Sequence, residues 1–217
     1  MRTRGRHRRR PNLFWTLTIA LVAVVVLVAG GVLLLREPQQ RVAADPRPPG
    51  VSESADAPTS PLPEIGQLPP RTLLLGRVGV QAPIGVSTVP GGVLTPPNDV
   101  STVGIWLDGA TLDADAGTTL LAGHVNMIGQ GNGALFDLAL MQPGDVVYTS
   151  DDAGSPTAWR VSRVVERAKA DGVEESVLDG PTGPRRLAVV TCGGELTYDN
   201  GVGDYEDNIY LYADLVE

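Results

Sequence analysis

The sequence predicts an all-β domain, a sandwich or barrel, over residues 71–217. Three observations carry that prediction. From Arg71 onward, apolar and β-branched runs of four to eight residues recur. Clusters of Gly, Pro, Asn and Asp separate them every 8–15 residues. Only one segment has helical spacing, and it is short. Many short strands punctuated by turn residues define an all-β sandwich or barrel rather than an α/β fold.

In chain order the expected strands are Thr72–Val78, Val80–Ile84, Gly92–Leu94, Val103–Trp106, Thr118–His124, Asp145–Thr149, Thr157–Glu166, Arg185–Thr191 and Asn208–Val216. Turn chemistry separates them at Pro90-Gly91-Gly92, Pro96-Pro97-Asn98-Asp99, Asp108-Gly109, Pro143-Gly144-Asp145, Asp151-Asp152-Ala153-Gly154 and Asp179-Gly180-Pro181-Thr182-Gly183-Pro184. Ala134–Met141 is the helix candidate, with Leu135, Leu138 and Met141 on one face. No internal repeat is present.

Before the domain come three segments of different texture. Residues 1–12 form a basic tail, with arginines at positions 2, 4, 6, 8, 9 and 10. Leu13–Leu35 is 23 residues without a charge. As a helix it would span about 35 Å, enough for a hydrocarbon core of about 30 Å. Trp15 stands near its start, and Arg36-Glu37 follow it. The positive-inside rule then keeps the N-terminus in the cytoplasm and everything after Arg36 outside. A cleaved signal peptide would have a shorter apolar run ending in a small-x-small site. The length favours an uncleaved single-pass membrane anchor. Residues 36–70 read as a linker: Glu37–Pro70 holds nine of the 18 prolines. Such a stretch cannot bury enough surface to order itself and acts as a semi-extended spacer.

The net charge of −8 is unevenly spread. From Glu37 onward, 10 basic residues face 25 acidic ones, a net of −15. A domain this acidic repels phosphate backbones, which argues against nucleic-acid binding. The only lysine is Lys169; with arginine in place of lysine everywhere else, this reads as coding bias.

Two residues stand out chemically. Cys192 is the only cysteine, so it cannot form an internal disulfide. It ends the apolar run Leu187–Val190-Thr191 and is followed by Gly193-Gly194. Of the two histidines, His7 lies in the basic tail and His124 ends the run Leu120-Leu121-Ala122-Gly123. A thiol and an imidazole, each at a strand terminus beside glycine, can pair as nucleophile and proton carrier. A buried, inert cysteine is the competing reading.

The order Leu121-Ala122-Gly123-His124-Val125 and then Val189-Val190-Thr191-Cys192-Gly193-Gly194 resembles the sortases, membrane-anchored cysteine transpeptidases of Gram-positive cell surfaces. Ala134–Met141 followed by Pro143-Gly144-Asp145 is similar to the family's helix and the turn after it. Tyr205-Glu206-Asp207-Asn208-Ile209 is similar to its closing strand. Thr-Cys-Gly-Gly and Asp-Asn point to the class E/F group of actinobacteria. The resemblance covers residues from about Pro70 to Glu217. It implies an eight-stranded β-barrel with a short helix.

The resemblance also implies the chemistry. Cys192 would cleave a Leu-Pro-x-Thr-Gly-like C-terminal signal of a surface protein through a thioacyl intermediate. An amine of peptidoglycan or of its lipid-linked precursor would then take the acyl group. His124 would raise the thiolate fraction and protonate the leaving amine. Backbone N–H groups beside Cys192, with Gly193 and Gly194 allowing close approach, would serve the oxyanion. The chain departs from the pattern at one place. Where sortases carry an arginine near the start of the closing strand, this chain has Glu206, and no Arg or Lys follows Arg186. Three readings stay open. Arg185, Arg186 or Arg160 substitutes from another position. Backbone donors alone serve, at a loss of roughly 10²–10³ in rate. Or the protein is a catalytically weak sortase-fold binder of sorting signals.

Smaller signals complete the expectations. Leu62-Pro63-Glu64-Ile65-Gly66 imitates a sorting signal inside the linker, either by chance or as a tethered pseudo-substrate. Asn126 is expected to form a turn. Thr191 is expected to face away from Cys192 and direct its hydroxyl to backbone or core. Trp106 and Trp159 are expected in the core. Asp113 with Asp115, and Glu174 with Glu175, lack the oxygen-rich loop that calcium sites use, so no metal and no cofactor is expected.

Overall fold

The computed structural model describes residues 65–199 and 202–216. The basic tail, the apolar run 13–35, most of the linker and Leu62–Glu64 lie outside the described residues. Among the described residues, no helix is long and apolar enough to cross a membrane.

The described residues form ten strands: β1 Thr72–Leu75, β2 Val80–Val86, β3 Val103–Ile105, β4 Thr118–Ala122, β5 Asn126–Met127, β6 Gly131–Asn132, β7 Val146–Ser150, β8 Pro156–Ala168, β9 Arg186–Asp199 and β10 Val202–Leu215. Eight of them close into a barrel in the order β1-β2-β3-β4-β9-β10-β8-β7, and β5-β6 form a separate two-residue hairpin. β2 with β3 and β4 with β9 are parallel. The other barrel pairs are antiparallel. Closure leaves the barrel no free edge.

Strand alternation sorts the side chains of β9 and β10 onto two faces. Leu187, Val189, Ile209 and Leu211 point inward, into a core that also holds Leu73, Leu121, Val147 and Trp159. Ala188 and Tyr210 point outward, into a second cluster with Leu120, Val177 and Tyr212; Val190 and Trp106 pack against it. A barrel strand exposed to water would show polar residues on its outer face. Here the segment between β8 and β9 folds back over that face and seals part of it through Val177, which is 1% exposed. A polar network holds this flap. Arg167 Nε donates to Glu174 Oε1 at 2.7 Å, Tyr212 Oη donates to Glu174 Oε2 at 3.2 Å, and the Arg163 guanidinium lies 3.9 Å from the Tyr212 ring centre.

Three expectations change. Ala134–Met141 contains only a 3₁₀ turn, Leu138–Leu140. Its apolar residues recur every three positions, the 3₁₀ period, and Leu135, Leu138 and Met141 are all buried. Gly92–Leu94 is not a strand: a 3₁₀ turn covers Pro90–Gly92, with only a bridge between Thr88 and Thr95 beside it. β9 and β10 run far past Thr191 and Asn208, and Asp199 pairs with Val202. Only Asn200-Gly201 separates that pair, the dipeptide most favoured between hairpin strands. Residues 195–199 and 202–204, outside the expected strands, therefore belong to this hairpin. Trp159 is core, its indole N–H bonded to Thr149 Oγ1 at 2.9 Å. Trp106 belongs to the outer cluster instead.

Candidate active site

Cys192 lies on the outer face of β9 by the alternation set by Ala188 and Val190, and His124 follows β4 on the same face as Leu120. The two strands are parallel neighbours, with Leu121 opposite Val189 and Ala122 opposite Val190. Continued by two residues, that register sets His124 abreast of Cys192. The barrel thus brings together two side chains 68 positions apart through the pairing of two ordinary strands.

Local contacts fix the histidine backbone. Thr191 is buried, and its hydroxyl donates to the Gly123 carbonyl at 2.9 Å. Gly123 N–H donates to Val190 O at 3.1 Å, and Gly133 N–H to Val125 O at 2.8 Å. Gly133 must be glycine, because a Cβ there would overlap the His124 carbonyl. Asn126 lies in β5 rather than in the expected turn, and its amide donates to the buried Tyr205 hydroxyl, tying the segment after His124 to β10. Thr191 behaves as alternation requires, and its hydroxyl supports His124 through the backbone.

The imidazole bonds to the backbone of Pro97, which has only a carbonyl to offer, while Nε2 is buried without a protein partner. Burial holds the imidazole pKa below its usual value, against the opposing pull of the Pro97 bond. Burial likewise pushes the Cys192 thiol up; Lys169 works against that rise and Asp204 with it. Both groups are therefore neutral at neutral pH. No hydrogen bond joins them in this resting arrangement.

Beyond Cys192 the strand pair is irregular. Gly193 pairs with Asp207 and Leu196 with Tyr205, so Gly194 and Glu195 together oppose Glu206 alone. This is a β-bulge, with Gly194 at φ +78° supplying the left-handed residue. A Cβ on Gly194 would overlap the Asp207 carboxylate, and one on Gly193 would overlap Ile209. The glycine pair is thus required by the bulge and the packing. Glu206 opposes the bulge and is exposed. It does not figure among the charges acting on Cys192.

None of the substitute arginines suggested by the sequence is brought to Cys192. Arg185 precedes β9, seven residues away and so about 23 Å along the strand. There it donates to Gly117 O, Thr119 Oγ1, Thr111 O and Leu112 O, and stacks over Trp159 at 4.7 Å. Asp113 and Asp115 act on the same guanidinium. Arg186 pairs with Asp214 at 3.3 Å, and Arg160 donates to Gly144 O. A cavity of about 290 Å³ lies at this end, lined by Arg163, Arg186, Tyr212 and Asp214 among others, away from the thiol.

The cation that does reach Cys192 was passed over in the sequence. Lys169 lies within hydrogen-bonding reach of the Cys192 thiol, and its Nζ is 2.6 Å from Asp204 Oδ1. Its place follows from register. Ala168, the last residue of β8, pairs with Asp207, which pairs with Gly193. Lys169 therefore leaves the sheet one row from the nucleophile. The available signal was its being the chain's sole lysine, which composition alone could not tell from coding bias.

A family model described as Sortase domain matches residues 75–216. No curated protein matches the chain in sequence. Among solved structures, a lid mutant of sortase A from Corynebacterium diphtheriae superposes with a TM-score of 0.51 at 12% identity, covering 70% of this chain and 73% of that one. Sortase C1 from Streptococcus suis gives 0.50 at 15%, covering 67% and 72%. The sortase C2 of group B Streptococcus pilus island 1 gives 0.50 at 12%, covering 67% and 73%. At such identities these likenesses speak for the fold.

Proposed function

The chain belongs to the sortase family, and from that premise we propose that it is a working thiol transpeptidase with Cys192 as nucleophile and His124 as proton carrier. The observation carrying this reading is their convergence: adjacent parallel strands deliver the two side chains to one face in matched register. The unpartnered Nε2 of His124 supports it, since a buried acceptor without a donor costs stability unless it has work to do.

His124 takes the Cys192 proton as sulfur attacks the carbonyl carbon of Thr in a Leu-Pro-x-Thr-Gly-like signal. The tetrahedral intermediate collapses, the C–N bond to Gly breaks, and the imidazolium gives its proton to the leaving amine. A second amine, from peptidoglycan or its lipid-linked precursor, attacks the thioester, and its proton leaves through His124 as the thiol is restored. At the edge of the outer cluster, where Leu120 and Tyr210 are already covered, half-buried Val190 and Trp106 offer apolar surface for the Leu-Pro part. The resting pair, held neutral by burial, separates charge only as His124 takes the Cys192 proton during attack.

We assign the chain to the class E/F, actinobacterial type on Thr191-Cys192-Gly193-Gly194 and Asp207-Asn208. Residues 13–35 are proposed as the single-pass anchor, with the barrel extracytoplasmic. The pseudo-substrate reading of residues 62–66 meets an obstacle. Pro69 accepts a hydrogen bond from Ser150 Oγ at 2.6 Å, beside the β7–β8 turn. The Cys192 row crosses β8 at Arg167, 11 residues beyond Pro156 and so roughly 36 Å away along the strand. Seven residues from Leu62 to Pro69 reach at most about 25 Å. The segment would need that anchor released before it could enter its own barrel's site.

The test is incubation of the full chain in detergent with a Leu-Pro-x-Thr-Gly peptide and a small amine. A thioacyl adduct on Cys192 by intact mass, together with the amide product, is expected. Peptide binding with no adduct would sink the transpeptidase reading in favour of the binder of sorting signals, the reading that Glu206 favours.

A further inference from the structure

We propose that Lys169 is a catalytic residue of this site, supplying at Cys192 the positive charge that the closing strand lacks. This rests on the transpeptidase reading for its use, but not for its existence. Three observations on independent elements support it. Ala168 shares a row with Asp207 and Gly193, next to the Cys192 row, and Lys169 is the residue that follows it. Its Nζ lies 2.6 Å from Asp204 Oδ1, and its positive charge acts on the nearby Cys192 thiol. The neighbouring cation, Arg167, stands in the same row as Asn208 and Cys192 but is tied to Glu174. Among the described residues, Lys169 is the cation whose charge acts on the thiol.

Its position fits both half-reactions. When His124 removes the thiol proton, negative charge develops on sulfur, and an ammonium within hydrogen-bonding reach lowers the cost of that charge. When the acceptor amine expels sulfur from the thioester, the same charge reappears and the same ammonium receives it. Asp204 also keeps Lys169 protonated. A neutral lysine amine beside a thioester would attack it and acylate the enzyme; an ammonium has no lone pair to do so. Asp204 is more exposed than Lys169, at 73% against 30% of the side chain, so the carboxylate can yield without stranding a buried charge. Of the other acids of β10 near the bulge, Glu206 is exposed and Asp207 packs its carboxylate against Gly194. Glu206 in the family's arginine position therefore leaves the site with a cation, delivered from β8 instead of β10.

The experiment has a substrate-free arm and a substrate arm. In the first, the rate of Cys192 alkylation by iodoacetamide is followed against pH for the full chain. Lys169→Ala should move the profile to higher pH and slow alkylation at neutral pH by about tenfold, the equivalent of one pK unit. Lys169→Arg should restore it, and Asp204→Asn should move it the other way. In the second arm, Lys169→Ala should lower kcat for thioacyl formation with KM little changed. Coincident profiles for wild type and Lys169→Ala, or no rescue by arginine, would overturn the proposal. If the profiles shift as expected but no variant nor wild type acylates, Lys169 governs the thiol and it is the transpeptidase reading that falls.

Discussion

The start of β9 and its Cys192 row solve opposite problems with similar residues. At the Arg186 end, every charge is spent on structure. Arg185 makes four hydrogen bonds and stacks on Trp159, Asp113 and Asp115 face it, and Arg186 takes Asp214. At the Cys192 end, the polar groups are left partly unspent. His124 Nε2 is buried with no partner, the thiol is held neutral by burial, and Lys169 divides itself between two groups. One end closes the barrel; the other keeps bonding capacity for a substrate. The difference shows how one strand stabilises a fold and carries a site without a conflict between the two.

The contrast can be broken hardest at the nucleophile. Cys192→Ala should abolish the thioacyl adduct by intact mass while leaving the thermal midpoint nearly unchanged. His124→Ala comes next, with thioacyl formation in stopped assays slowed by about 10²–10⁴-fold, the range for loss of a general acid–base. At the other end the signs reverse. Arg185→Ala should cost about 2–3 kcal/mol in urea unfolding, through its lost hydrogen bonds and the exposed Trp159 ring, with Cys192 alkylation unaffected. Thr191→Val tests the seam between the ends. It leaves the Gly123 carbonyl short of a buried donor, at about 1–2 kcal/mol, and should slow transfer as the His124 backbone loosens.

The smallest effect is one of pH. The folded imidazole has a lowered pKa, so its contribution to stability is complete above the unfolded value of about 6.5. As pH falls from there toward the folded pKa, the unfolded chain binds the proton first and that contribution is lost. His124→Gln should therefore flatten the acid side of the stability curve, measured by urea unfolding between pH 7 and pH 5. An unchanged slope would mean that burial of His124 is not what depresses it.

Much of the barrel was legible because strand periodicity and turn chemistry are local. The β4 and β9 segments stood out as apolar runs ending in glycine, with His124 and Cys192 at their tips. The failures share a cause. The 3₁₀ turn at Leu138–Leu140 was read as a helix, since a few residues cannot separate a period of three from 3.6. Trp106 was sent to the core because β alternation does not say that a flap covers the outer face.

By itself the sequence determined an all-β domain with one thiol and one imidazole each following an apolar run, since those facts rest on neighbours in the chain; that β9 continues past Cys192 to Asp199 was decided by its pairing with β10. Which cation meets the thiol was decided only by tertiary structure. Arg185 and Arg186 are close to Cys192 in sequence and far from it in space, because a strand rises about 3.3 Å per residue. Lys169 is 23 positions away and within hydrogen-bonding reach, because β10 pairs with both β8 and β9 and closes the distance across the sheet.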